Sequence, residues 1–145
     1  MNIAARVAVL AAALVSACAI AAPAQDRTVK IGVLGDMSSL YADISGPGSV
    51  IAAKLAVEDF NPAAHGMKVE IISADHQNKP DVGANIARQW FDVDNVDAIV
   101  DMATSSVALA VNEIAREKNK ALLVSAAATS DLTGQKCSPN DPLEL

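Results

Sequence analysis

The segment Ala98–Val124, with the sequence AIVDMATSSVALAVNEIAREKNKALLV, decides the fold of this chain. Its two ends, Ala98–Met102 and Ala121–Val124, are short apolar runs that the pattern predicts as buried strands. Between them, apolar residues recur at helical spacing along one face: Val107, Ala110, Val111, Ile114 and Ala115. We expect Ser105 or Ser106 to cap this helix, because a serine oxygen can accept a hydrogen bond from a free N–H of the first turn. The segment is therefore predicted to be a β-α-β unit with two parallel strands.

The same alternation of strand and helix extends towards the N-terminus. Two further strands are predicted at Val29–Leu34 and Met67–Ser73, where apolar and β-branched residues cluster. Helices are predicted from Gly46-Pro47-Gly48 to about Phe60, and from Pro80 to about position 91. The full order β-α-β-α-β-α-β indicates an α/β fold, a doubly wound parallel sheet with helices on both faces.

Four loops leave the predicted strands at their carboxyl ends and so share one edge of the sheet: Gly35–Tyr41, Asp75–Asn78, Ala103–Ser106 and Ser125–Thr129. Open α/β sheets bind their ligands at this edge. The hydroxyls and unhindered backbone N–H groups of these loops suit a carboxylate, and each helix N-terminus adds roughly 0.3–1 kcal/mol. We expect Asp75 and His76 to lie in a solvated loop, where they could pair, and Trp90 to belong to the core.

Composition and motifs exclude several functional classes. A chain of 145 residues that is 52% hydrophobic has the composition of a globular protein. Its net charge of -6 argues against nucleic-acid binding, which normally requires a positively charged surface. The sequence contains neither a glycine-rich nucleotide motif nor a nucleophile elbow, so we predict no enzymatic activity and no cofactor. The two histidines, His65 and His76, do not have the spacing of metal ligands, so no metal site is predicted.

Residues 1–24 have the pattern of a secretory signal peptide. Arg6 precedes the apolar run Val7–Ala22, and an A-x-A site follows at Ala22-Pro23-Ala24. We expect cleavage after this site, so that the mature protein begins at Gln25. Lipidation is an alternative, because Val15-Ser16-Ala17-Cys18 resembles a bacterial lipobox. A membrane anchor is the third reading, although the run of 16 residues is shorter than the roughly 20 residues that a span needs.

Three stretches carry a resemblance to a known family: VKIGVLGDMSS at 29–39, TSS at 104–106 and SAAATSDLT at 125–133. They resemble the substrate-binding proteins of branched-chain amino-acid-type ABC transporters, also called type I periplasmic binding proteins, over about residues 28–134. The resemblance implies that residues 25–145 are an incomplete first lobe of a two-lobe periplasmic domain, with the second lobe absent. It also implies that the protein captures a small carboxylate-bearing ligand and delivers it to the permease subunits of a membrane transporter.

The resemblance also implies which residues contact the ligand. In the family, the loop after the third strand and an A-A-T-like loop after the fourth hold the ligand's carboxylate and amine. These roles carry over to two stretches: Thr104, Ser105 and Ser106, and Ala127, Ala128 and Thr129, the alanines acting through backbone atoms. Tyr41 is the aromatic residue of the first loop, whereas leucine-binding members place theirs at the position of Ile44. The expected ligand is a branched-chain amino acid, or an aromatic or other organic acid.

A receiver-like signalling domain is the alternative from a different functional class. Such a domain has the same alternation of strands and helices, and Asp101 would be its phospho-acceptor at the end of the third strand. However, only Asp36 stands where a pair of acidic residues is expected, and no strand with a lysine follows Val124. Export would also separate the domain from ATP-dependent kinases.

Overall fold

A computed structural model describes residues 27–139, which contain a four-stranded parallel sheet. The strands are β1 (Arg27–Gly35), β2 (Met67–Asp75), β3 (Ala98–Asp101) and β4 (Ala121–Val124). Their order in the sheet is β2-β1-β3-β4, so β1 pairs with β2 on one side and with β3 on the other. The predicted fold class is confirmed. The predicted cleavage site and Cys18 lie outside the described residues.

Four α-helices and one 3-10 turn connect the strands: α1 (Ala42–Ser45), α2 (Pro47–Phe60), the 3-10 turn (Pro62–His65), α3 (Pro80–Asp92) and α4 (Ser105–Glu117). The short helix α1 lies between the predicted Gly35–Tyr41 loop and the predicted helix that starts at Gly46, in a segment where the sequence predicted no helix. It forms because the N–H groups of Ile44 and Ser45 both donate to the carbonyl of Tyr41, each at 2.9 Å.

The main hydrophobic core lies on the face of the sheet that α3 and α4 cover. Trp90 of α3 is only 6% exposed and belongs to this core, as predicted. It packs directly over Gly32 of β1, where a Cβ would come within 2.3 Å of Cζ3 of the indole ring. The centre of the sheet therefore needs glycine at position 32 so that the tryptophan can approach the backbone.

The opposite face of the sheet is covered only in part. Helix α2 lies over this face, but none of its residues is buried, and Phe60 at its C-terminal end is 50% exposed. Between the helix and the sheet runs an open apolar groove of about 470 Å³, lined by Val29, Ile31, Ala53, Ala56, Val57, Phe60, Met67, Val69, Ile71 and Val100. The expectation of helices on both faces holds, but the two faces differ greatly in burial.

Within residues 27–139, no helix combines the length and the apolar character that crossing a membrane requires. Cys137 is exposed and forms no disulfide bond within this range.

Candidate ligand pocket

A pocket of about 500 Å³ opens at the carboxyl edge of the sheet, where the loops after the four strands meet. Its lining residues come from all four loops: Tyr41, Asn78, Ala103, Thr104, Ser105, Ser106, Ala126 and Ala128. The parallel strands place these loops together, because right-handed crossovers return each strand to the same edge. The volume lies in the range of pockets that hold small organic ligands.

The structure brings five of the seven predicted site residues to this pocket: Tyr41, Thr104, Ser105, Ser106 and Ala128. The other two lie elsewhere. Ala127 packs against the hydrophobic core, and Oγ1 of Thr129 accepts a hydrogen bond from the N–H of Asp131 at 3.3 Å. Contact of any of the seven with a ligand stays a prediction.

Three pocket residues were missing from the predicted site: Asn78, Ala103 and Ala126. All three lie in the loops that the sequence placed at this edge of the sheet. The two alanines have no side-chain chemistry that could have marked them. Asn78 could have been predicted from the sequence, because a polar side chain in a loop after a strand is a candidate for ligand contact.

Helix α4 begins at the pocket without a side-chain cap. The residue before its first turn is Thr104, whose backbone is extended and whose side chain makes no capping hydrogen bond. The prediction that Ser105 or Ser106 caps the helix is wrong, because the N–H of Ala108 donates to the carbonyl of Thr104 at 2.9 Å and both serines fall inside the first turn. The uncapped N–H groups and the positive end of the helix dipole favour an anion here.

Thr104 also has a buried hydroxyl that lacks a partner. The residue is 7% exposed, and its Oγ1 has no hydrogen-bond partner within the part of the chain that the structure describes. Leaving a hydroxyl buried and unpaired costs about 1–3 kcal/mol. Since Thr104 lines the pocket, a polar ligand atom bound there is the natural partner for this oxygen.

Asp36 shapes the loop that carries Tyr41. Its fully buried carboxylate accepts hydrogen bonds from the N–H of Ser39 at 2.9 Å, the hydroxyl of Ser39 at 2.5 Å and the N–H of Tyr41 at 2.9 Å. Burial would raise the pKa of Asp36, but these hydrogen bonds outweigh it and hold the pKa below the ordinary value. The charged carboxylate therefore fixes the backbone of Tyr41 at the pocket.

Asp75 joins the loops that follow β1 and β2. Its carboxylate accepts hydrogen bonds from the N–H of Met37 at 2.9 Å, the hydroxyl of Ser38 at 2.5 Å and the N–H of Gln77 at 2.8 Å. Burial raises its pKa, but these donors more than compensate and lower it overall. The prediction of a solvated loop is wrong: Asp75 is half-buried by the donors it collects, and His76 is fully buried.

Asp101 connects the end of β3 to the loop after β4. Its Oδ1 accepts a hydrogen bond from the hydroxyl of Ser125 at 2.9 Å, and its carbonyl accepts one from the N–H of Ser125 at 2.8 Å. Burial raises the pKa of Asp101, while the hydroxyls of Ser125 and Ser49 act against this rise. Its backbone φ of 89° is unusual for a residue other than glycine. These features describe a buried structural carboxylate, not an accessible phospho-acceptor.

In the described residues, no group of three or more His, Cys, Asp or Glu side chains is arranged to hold a metal ion. The pocket polar groups are hydroxyls, one carboxamide and backbone N–H groups. These groups suit the recognition of an organic anion.

The profile of the family described as "Periplasmic binding protein" matches residues 28–140. A periplasmic binding protein from Burkholderia mallei is 43% identical to the chain, with a TM-score of 0.75, over 79% of this chain and 30% of that protein. A branched-chain amino acid ABC transporter periplasmic ligand-binding protein from Burkholderia xenovorans LB400 is 48% identical, with a TM-score of 0.73. This match covers 77% of this chain and 30% of that protein.

A third similar structure is a solute-binding protein of an ABC transporter from R. palustris, solved in complex with 4-hydroxybenzoate. It is 27% identical, with a TM-score of 0.68, and the match covers 80% of this chain and 31% of that protein. The chain thus spans about 30% of the length of the solved structures that it matches. No curated protein matches the chain.

Proposed function

Because the chain belongs to the periplasmic binding protein family, we propose that it forms the ligand-binding edge of a solute-binding protein that serves an ABC importer. The protein captures a small carboxylate-bearing solute in the periplasm and delivers it to the permease subunits of the transporter. Proteins of this family are non-enzymatic components of transport. The receiver-like alternative is set aside, because family membership and the buried carboxylate of Asp101 both argue against it.

The observation that carries this proposal is the uncapped N-terminus of α4 beside the unpaired hydroxyl of Thr104. A ligand carboxylate at this position accepts hydrogen bonds from the first-turn N–H groups and from the Thr104 hydroxyl. Ser105 and Ser106 line the same pocket and supply further hydroxyl donors. Hydrogen bonds to a charged group contribute about 1.5–3 kcal/mol each, less where the pocket is open to water.

The rest of the pocket suits an apolar ligand body. Tyr41 presents an aromatic ring, and three alanines leave room for a side chain or ring: Ala103, Ala126 and Ala128. Two of the three named relatives support this chemistry, since one is a branched-chain amino acid ABC transporter ligand-binding protein and another was solved in complex with 4-hydroxybenzoate. We therefore propose a branched-chain amino acid, or an aromatic or other organic acid, as the ligand.

The test is an NMR titration of the ¹⁵N-labelled chain with leucine and with 4-hydroxybenzoate, each raised to millimolar concentration. The expected result is that one of the two shifts the backbone amides of Thr104–Val107 and of Ala126–Ala128. The double variant Ser105→Ala/Ser106→Ala should weaken that binding at least tenfold, in line with the loss of one charge-assisted hydrogen bond of about 1.5 kcal/mol.

A matched control is Ser73→Ala, which removes an exposed serine of β2 that does not line the pocket. This variant should bind like the parent chain. If neither acid shifts the amides at the start of α4, or if the control loses as much affinity as the double variant, the carboxylate site at this helix is wrong.

Export is a separate part of the proposal. We propose that the protein reaches the periplasm with residues 1–24 removed as a signal peptide; lipidation at Cys18 is the alternative route to the same compartment.

A further inference from the structure

A buried histidine fixes the turn that carries Asn78 into the pocket. His76 is fully buried, and its Nδ1 accepts a hydrogen bond from the backbone N–H of Asn78 at 3.0 Å. The N–H of His76 donates to the carbonyl of Gly35 at 3.0 Å, and its carbonyl accepts from the N–H of Lys79 at 2.9 Å. The backbone of His76 is thus tied to the end of β1 and to the residue before α3, and its imidazole is tied to the turn between them.

The turn needs this support because its backbone is unfavourable. Gln77 and Asn78 both have a left-handed conformation, with φ of 53° and 54°. Such a conformation costs free energy for residues other than glycine, although asparagine tolerates it better than most. Two consecutive residues of this kind persist only where hydrogen bonds hold them, here from Gln77 to Asp75 and from Asn78 to His76.

The hydrogen bond to Asn78 defines the protonation state of the imidazole. Nδ1 can accept a hydrogen bond only when it carries no proton, so the neutral ring of His76 has its proton on Nε2. Nε2 is buried and has no hydrogen-bond partner among the described residues. If Nδ1 gained a proton, its N–H would face the backbone N–H of Asn78, and because both groups are donors the hydrogen bond between them would be lost.

The surroundings of His76 favour the neutral ring. Burial lowers the pKa of His76, while the negative charges of Asp36 and Asp75 act in the opposite direction. From the two helices packed nearby, Gly83 of α3 and Val107 and Val111 of α4 crowd this region, and none of them can titrate. The two carboxylates on the strand ends are therefore the charged groups that act on the ring.

We propose that neutral His76 is a positioning residue that holds Asn78 at the ligand pocket, and that protonation of His76 releases Asn78 and weakens ligand binding. This inference rests on the proposed function only for the identity of the pocket. The hydrogen bond and its loss on acidification can be measured without any ligand.

The first experiment follows the ligand-free chain by NMR between pH 8 and pH 4.5. The ¹⁵N shifts of the imidazole should show the tautomer with the proton on Nε2, and the amide of Asn78 should shift in step with the titration of the His76 ring. Either of two results overturns the proposal: a proton on Nδ1 at neutral pH, or an Asn78 amide whose chemical shift does not change as the His76 ring titrates.

Two variants separate positioning from mere packing. His76→Asn places an amide oxygen where Nδ1 lies, so it should keep the turn and make the Asn78 amide independent of pH. His76→Leu removes the acceptor and should shift that amide at every pH. His65→Asn is the matched control, because His65 is exposed and stacks on Phe60, with ring centroids 4.7 Å apart.

The second experiment measures affinity at pH 7.5 and at the lower pH where the ligand-free titration shows two thirds of the His76 rings to be protonated, with leucine and 4-hydroxybenzoate as probes. The parent chain and His65→Asn should lose threefold or more in affinity at the lower pH, whereas His76→Asn should keep the same affinity at both. An unchanged pH dependence in His76→Asn overturns the proposal. Failure of both probes to bind at either pH counts against the proposed function, and the ligand-free titration then decides the role of His76 alone.

Discussion

Replacing Thr104 by valine should move stability and ligand affinity in opposite directions. Valine has the shape of threonine without the hydroxyl, and the Thr104 hydroxyl is buried and unpaired among the described residues. Removing an unpaired buried hydroxyl relieves a cost of about 1–3 kcal/mol, so we expect Thr104→Val to raise the free energy of unfolding by about 1 kcal/mol. For a domain of this size, that is roughly 4 °C in Tm.

The same substitution should weaken ligand binding. If the hydroxyl donates to a carboxylate, its loss costs about 1.5–3 kcal/mol, or about 10- to 150-fold in Kd. We expect about tenfold, the lower end, because the pocket is open to water. Thermal unfolding by circular dichroism and NMR titration with leucine and 4-hydroxybenzoate give the two quantities on the same samples.

Ser125→Ala is the control variant, and we expect it to change the free energy of unfolding in the direction opposite to Thr104→Val. The Ser125 hydroxyl donates to Oδ1 of buried Asp101 at 2.9 Å, so its removal should lower the free energy of unfolding by about 1 kcal/mol or more. If Thr104→Val destabilises the chain as Ser125→Ala does, the Thr104 hydroxyl is already satisfied. If affinity is unchanged, this hydroxyl is not a ligand donor.

Three further predictions concern packing, pH and export. Gly32→Ala should destabilise the chain by about 1–3 kcal/mol in urea unfolding, because its Cβ would meet the Trp90 ring, and Gly48→Ala, with nothing within 4 Å, should not. The free energy of unfolding should fall as the pH drops below 6.5, because the pKa of His76 is lower in the folded than in the unfolded chain; in His76→Asn this fall should be smaller. The pKa values of Asp36 and Asp75 are also lowered in the folded chain, so these two groups reduce the free energy of unfolding only near and below pH 3.8. Intact mass of exported protein should begin at Gln25, whereas a diacylglyceryl mass at Cys18 would establish lipidation.

Local patterns were sufficient to predict the four strands and the three longer helices. The apolar run of β1 and the helical spacing in α4 each depend on residues close in the sequence, so the alternation could be read without any tertiary information. The parallel order then placed four loops at one edge, and the pocket lies there. Trp90 could likewise be assigned to the core from the sequence, and the structure confirms that assignment.

The details of the site depend on contacts between loops far apart in the sequence. Met37 and Asp75 are 38 residues apart, and their hydrogen bond buries an acidic side chain that the sequence alone suggested was solvated. Which residue precedes the first turn of α4 depended on backbone geometry, because three consecutive hydroxyl residues, Thr104–Ser106, offer equivalent caps. The sequence by itself therefore determined the four strands, the three longer helices and the edge of the sheet at which the pocket lies. Only the tertiary structure decided which loop residues face the pocket, because side-chain direction in a loop follows from hydrogen bonds to distant segments and not from local periodicity.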